Sequence, residues 1–184
     1  MASIDEKLLN VLSDVSKVAV NPFKDKWISI LGDSISTYEG WIPSGNSIYY
    51  PKDDVDNVNK TWWHMLLSKL EAKLCVNQSW SGRRVTDDGA TEARAASLGM
   101  GKLHREVGQT YKNLDGSEEV ATTRINPDVI LILLGTNDYN NGVAVGELTQ
   151  RCVFNYPLTS FSDSYYAMLK QITADNYKLQ EYFY

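Results

Sequence analysis

Trp27-Ile28-Ser29-Ile30-Leu31-Gly32-Asp33-Ser34-Ile35-Ser36 is the stretch whose reading decides the fold. A short apolar run rich in isoleucine stops at Gly-Asp-Ser. Apolar residues on both faces suit a central parallel strand, because helices cover both sides of such a sheet. We therefore expect a buried strand over residues 27–31. It ends in a tight turn that presents one hydroxyl, that of Ser34.

Two further stretches repeat the pattern. Asp128-Val129-Ile130-Leu131-Ile132-Leu133-Leu134 is the strongest strand signal and runs into Gly135-Thr136-Asn137-Asp138. Leu74-Cys75-Val76 is a shorter strand with the exit loop Asn77-Gln78-Ser79-Trp80-Ser81-Gly82. Helical spacing appears between and around them. Residues 3–18 carry Ile4, Leu8, Leu9, Leu12, Val15 and Val18 behind a Ser3/Glu6 cap, and Asn21-Pro22 ends that helix. Thr61 caps a helix with Trp62, Trp63, Leu66, Leu67 and Leu70. Further helices are expected from Ala90 to Leu98 and from Ser162 to Thr173. Residues 99–126 carry an Asp115-Gly116 turn, which points to a hairpin or an insertion.

Strands alternating with helices give an α/β sheet with mostly parallel strands, and such sheets bind ligands at their carboxyl edge. All three polar motifs fall at that edge. Residues 37–59 form one long loop beside it. A loop of that length is functional or disordered, and its aromatic content argues against disorder.

Bulk properties narrow the class. A chain of 184 residues favours one domain, 1–184, able to bury roughly 70% of its unfolded surface. Its 43% hydrophobic and 22% charged residues are ordinary for a globular protein. The net charge of −5, with no basic stripe, argues against a nucleic-acid partner. No run reaches the roughly 18 apolar residues of a membrane span. The N-terminus lacks a long apolar segment of signal-peptide type, so the expected setting is cytoplasmic. Cys75 lies in an apolar run far from Cys152, which reads as a buried free thiol. The 11 tyrosines and 5 tryptophans are the unusual feature, many of them between Tyr38 and Trp80.

The three loops together suggest a chemistry. Ser34 offers a hydroxyl and a backbone N–H at a turn, Gly82 a backbone N–H that a substrate can approach closely, and Asn137 a side-chain amide. One nucleophile with three donors describes acyl transfer through a tetrahedral oxyanion, each donor being worth roughly 2.7–4 kcal/mol. Asp33, Trp80, Asp138 and Tyr139 are candidates for the substrate-facing wall, with holding the turn as the preferred role of Asp33. Trp41, Tyr49 and Tyr50 belong either to that wall or to the core.

On these motifs the chain resembles the SGNH (GDSL) hydrolases. Gly32-Asp33-Ser34-Ile35-Ser36 is similar to their first block, Asn77 to Gly82 to the second, and Gly135-Thr136-Asn137-Asp138 to the third. The resemblance covers about residues 26–175. It implies a three-layer α/β/α sandwich of flavodoxin type with a mainly parallel sheet. It also implies ester hydrolysis of acyl or acetyl groups on small molecules, carbohydrates or lipids, with no metal and no cofactor. By the same resemblance Ser34 is the nucleophile, and the Ser34 N–H, Gly82 N–H and Asn137 amide form the oxyanion hole.

The family's fourth block, an aspartate followed after two residues by a histidine near the C-terminus, has no counterpart here. The only two histidines are His64, inside the Thr61 helix, and His104, read as exposed. The three strands are fewer than the family's sheet carries, so its C-terminal strands are expected to be missing. An apolar sheet edge left open in this way invites a second copy, hence an expected homo-oligomer. The alternative function is an inactive SGNH-like domain that keeps the pocket as a binding or interaction module. A nucleotide-binding reading is weaker, with neither Gly-x-Gly-x-x-Gly nor a P-loop present.

Overall fold

The computed structural model describes residues 21–86, 102–147 and 160–174. The helices expected over 3–18 and 90–98, Cys152 and the tail from Asp175 lie outside those residues. Eight elements follow in chain order: β1 Trp27–Gly32, α1 Trp62–Lys69, β2 Lys73–Asn77, β3 Thr110–Lys112, β4 Glu118–Val120, β5 Val129–Leu133, α2 Thr136–Asn140 and α3 Phe161–Ala174.

β1 is the centre, as its doubly apolar sequence requires. It pairs in parallel with β2 on one side and with β5 on the other, giving the order β2-β1-β5. The β5 register is regular, from Ile28 opposite Val129 to Gly32 opposite Leu133. Against β2 it slips between Ile28 and Ile30. The pleat divides β1 between two cores. Ile28 and Ile30 face Trp63 and Leu67 of α1, together with Leu74. Leu31 faces the opposite way, onto Leu103 and onto Met168 and Ile172 of α3. The result is the expected α/β/α layering around a parallel sheet.

α1 starts where its cap residue predicts. The Thr61 hydroxyl accepts the His64 N–H at 3.4 Å. Trp63 and Leu67, four apart on one face, are both fully buried. His64 is buried beside them, with Nε2 3.0 Å from the Leu114 carbonyl.

Residues 99–126 do hold a hairpin. β3 and β4 pair antiparallel around the Asp115-Gly116 turn, where Asp115 Oδ1 accepts the Ser117 N–H at 2.9 Å. This arm closes the outer edge of β2 with a side chain where another strand would lie. Arg105 is fully buried. Its Nε donates to the Cys75 carbonyl at 2.9 Å, and Nη2 donates to Leu74 at 2.8 Å and Lys112 at 3.2 Å. Nη1 donates to Asn113 Oδ1 at 3.0 Å and lies 3.5 Å from a Glu119 carboxylate oxygen. The guanidinium also stacks over Trp27, 4.8 Å from the ring centre. A buried charge is tolerable only when its donors are occupied, and here they are.

Cys75 is a buried free thiol, and burial pushes its ionisation upward. At β5 the outer edge has no strand partner among the described residues, and Leu133 is 40% exposed. No described helix is long and apolar enough to cross a membrane.

Arg105 supplies a planar fork that a lysine cannot reproduce. Arg105→Ala strands the Leu74, Cys75 and Lys112 carbonyls and is expected to cost about 2–5 kcal/mol in urea denaturation. Arg105→Lys should recover little of that loss. A full recovery would mean that charge, and not the fork, holds the edge.

Candidate active site

The first block closes because position 32 has no side chain. A Cβ on Gly32 would lie 2.3 Å from Ser36 Oγ and 3.0 Å from Ser79 Oγ. The chain then makes one 3-10 turn, Ser34–Ser36. Asp33 caps it by accepting the Ile35 N–H at 3.2 Å. The Ser34 carbonyl accepts the Thr37 N–H at 3.1 Å and the Thr37 hydroxyl at 2.8 Å. The Ser34 side chain stays part-exposed, and its N–H has no acceptor among the described residues.

The second block is tied to the first. Asn77 is buried, donates Nδ2 to the Ser36 carbonyl at 2.9 Å and accepts the Ser79 hydroxyl at 2.6 Å. The Trp80 N–H donates to the Gly32 carbonyl at 3.1 Å. Gly82 follows with φ +85°, a left-handed conformation that glycine adopts without strain. It is exposed, and its N–H also lacks an acceptor among the described residues.

The third block joins the second. Gly135, at φ +117°, caps the short helix α2. Asn137 Nδ2 donates to the Arg83 carbonyl at 2.8 Å, one residue past Gly82. One of its two amide hydrogens is thereby used, leaving the other available. Asp138 is 1% exposed and accepts Val85 N–H at 2.8 Å, Thr86 N–H at 2.9 Å and the Thr86 hydroxyl at 2.7 Å.

Two candidates for the substrate wall face inward: Asp138, contrary to expectation, and Asp33, in the turn-holding role preferred for it. The Asp138 carboxylate is occupied in clamping residues 85–86, and α2 turns it into the protein because the neighbouring N–H groups need an acceptor. Asp33 is fully buried, with Oδ2 lacking a hydrogen bond within ordinary limits. Burial pushes its carboxyl up from the usual range, partly offset by the Ile35 N–H and the nearby Thr136 hydroxyl. Its role is to hold the turn. Trp80 is half-buried, 5.8 Å beneath the Arg83 guanidinium, and Tyr139 is 85% exposed. Trp41 packs on Trp63 at 5.7 Å and so belongs to the core margin. The long loop carrying Tyr49 and Tyr50 is pinned to the second block, where Ser81 N–H donates to the Ser47 carbonyl at 2.8 Å and Asn46 to the Ser79 carbonyl at 2.9 Å.

Arg83 was not legible as a site residue. It is 3% exposed, donates Nη1 to the Gln78 carbonyl at 2.8 Å, and burial lowers its pKa to about 10, which leaves it charged at neutral pH. Neither histidine joins Ser34. His64 is held in the core. The His104 side chain is only 11% exposed, less than expected, with Nδ1 3.4 Å from an Arg124 nitrogen. Among the described residues no group of three or more His, Cys, Asp or Glu is arranged to hold a metal ion.

Three loops from three parallel strand ends are pinned to one another by hydrogen bonds, the first to the second through Asn77 and Trp80 and the third to the second through Asn137 and Asp138. The sequence profile of the GDSL-like lipase/acylhydrolase family matches residues 26–184, and the chain belongs to that family. Among solved structures it is similar to a candidate GDSL-like lipase from Bacteroides ovatus, with 29% identity and a TM-score of 0.64 over 88% of this chain and 75% of that one. A second candidate GDSL-like lipase, from Bacteroides uniformis, has 23% identity and a TM-score of 0.58 over 84% of this chain and 69% of that one. A search of curated proteins finds no match.

Asp138→Asn replaces one acceptor oxygen with a donor, which then faces either the Val85 N–H or the Thr86 N–H and hydroxyl. It is expected to lower stability by about 1–3 kcal/mol, read by thermal or urea denaturation. Tyr139→Ala, at an exposed position, should stay within about 0.5 kcal/mol of the parent.

Proposed function

We propose that the chain is an ester hydrolase with Ser34 as nucleophile. The observation that carries this reading is the set of three donors grouped on the pinned loops. The Ser34 N–H, the Gly82 N–H and the second hydrogen of Asn137 Nδ2 have no acceptor among the described residues. In a water-excluded pocket such donors favour an oxyanion over a neutral carbonyl.

The reaction runs in two halves. Ser34 Oγ loses its proton and bonds to the ester carbonyl carbon, and the carbonyl electron pair moves to oxygen as the oxyanion. Collapse breaks the bond to the alkoxy oxygen, which leaves and takes a proton from water. Water then adds to the acyl-serine and releases the acid. The remaining question is where the serine proton goes. Among the described residues His64 is engaged in the core and His104 lies beside Arg124, and hydroxide from solvent can take the proton.

The same observation favours a second reading, a pocket that binds an ester or its product without appreciable turnover. A serine hydrolase without its full triad retains only the rate supplied by the oxyanion hole and binding.

Hydrolysis of p-nitrophenyl acetate distinguishes the two. Ser34→Ala is expected to abolish the enzyme-dependent rate, and Asn137→Ala to lower kcat by about 10²–10³. Equal rates for the parent chain and Ser34→Ala would leave only the binding reading. With hydroxide as base, log rate should climb about one unit per pH unit between about pH 7 and 9. A plateau governed by a group near about pH 6.5 would instead reveal a histidine base.

A further inference from the structure

The peptide unit that follows Ser34 is held at both ends. Asp33 Oδ1 accepts the Ile35 N–H at 3.2 Å. The Ser34 carbonyl accepts the Thr37 N–H at 3.1 Å and the Thr37 hydroxyl at 2.8 Å. A peptide unit is planar, so holding both ends restricts ψ of Ser34 and the direction in which its side chain leaves the turn.

The Thr37 side chain does more than close this turn. Thr37 is fully buried, and its Oγ1 also accepts the Tyr49 N–H at 2.9 Å. A hydroxyl has one hydrogen to donate and two lone pairs to accept with, so it can join these two backbone groups at once. Valine has a similar shape and neither capacity.

Tyr49 lies in a segment over residues 46–50 that reaches the second block as well. Asn46 Nδ2 donates to the Ser79 carbonyl at 2.9 Å. The Ser47 carbonyl accepts the Ser81 N–H at 2.8 Å, one residue before Gly82. The Tyr50 carbonyl accepts the Glu39 N–H at 3.0 Å. The segment therefore bridges two blocks. One end is tied next to Gly82, and the other is tied to the Ser34 carbonyl through a single hydroxyl. Ile48 and Tyr49 are 45% and 42% exposed, so these ties carry much of its hold.

We propose that the Thr37 hydroxyl is a positioning group for Ser34, coupling the nucleophile to the bridge over residues 46–50. The inference rests on the esterase reading and adds to it a residue that touches no substrate. A nucleophile displaced by about 1 Å loses about 10²-fold in rate, whereas the binding of a small ester does not depend on that alignment.

The test has one arm in activity and one that is independent of activity. Thr37→Val removes the hydroxyl and leaves the other three ties of the bridge in place. In p-nitrophenyl acetate hydrolysis it is expected to lower kcat about 10- to 100-fold, with KM within about twofold of the parent. Thr37→Ser restores the hydroxyl and should return kcat to within about threefold. In hydrogen exchange read by mass spectrometry, peptides covering residues 46–50 should exchange about tenfold faster in Thr37→Val, because the Tyr49 N–H has lost its acceptor. Asn46→Ala cuts the other end of the bridge at a half-buried position and serves where the valine chain does not fold. It should lower kcat by about threefold or more at unchanged KM. With Ser34-dependent hydrolysis present, any of four results would overturn the proposal: an unchanged kcat, a rise in KM alone, a serine variant as slow as the valine one, or unchanged exchange over residues 46–50. Equal rates for the parent and Ser34→Ala would instead sink the esterase reading, and the rate role of Thr37 with it. The exchange arm then decides by itself whether the hydroxyl couples the bridge to the turn.

Discussion

The whole site depends on a close approach that only glycine permits. At Gly32 the chain leaves β1 with Ser36 Oγ where a Cβ would stand. That contact lets one 3-10 turn fold back on the strand end. The turn brings the Ser36 carbonyl within reach of Asn77 and the Gly32 carbonyl within reach of the Trp80 N–H. A side chain at position 32 would push the turn outward and break both ties, separating the first block from the second. Interiors this dense do not absorb a displaced atom, so the constraint passes directly to the position of Ser34.

Buried polar groups do the pinning, and they are satisfied almost throughout. Asn77, Asp138 and Arg105 each lie in the interior with several partners. Each joins segments far apart in sequence: β2 to the first turn, α2 to residues 85–86, the hairpin arm to β2. A buried group with full partners contributes modest net stability but penalises any other arrangement, because moving it leaves several atoms unpaired. The loops at a sheet edge would otherwise be free to move. Trp63 Nε1 is one exception and Asp33 another, with one carboxylate oxygen lacking a good partner directly before Ser34. Strain and unsatisfied groups tend to gather where a site must be held against its own preference.

The histidines show the limit of arguing from residue type alone. His64 sits four residues from Ser68 and within a turn of Trp63, and its helical position already marked it as a packing residue. His104 stood in a stretch with no clear period. The arm folds it against Arg124, which explains why it is covered and not exposed. Among the described residues neither histidine makes a hydrogen bond to Ser34.

Much of this was readable from the chain. The doubly apolar run of β1 dictated a central parallel strand, because alternation is absent only when both faces are covered. Turn chemistry placed the cap at Thr61 and the hairpin at Asp115-Gly116. The three polar blocks were legible because glycine, asparagine and serine at strand ends are local signals. The turn-holding role of Asp33 was legible, but the burial of Asp138 was not: a carboxylate in a polar loop looks alike in sequence whether it points to solvent or inward. Arg105 and Arg83 carried no pattern at all, since what made them important was a set of backbone carbonyls supplied from elsewhere. By itself the sequence determined the elements, their order and the family. Only the tertiary structure decided which polar groups meet one another and which remain free for a substrate. That distinction depends on contacts between residues dozens of positions apart, and no local period encodes them.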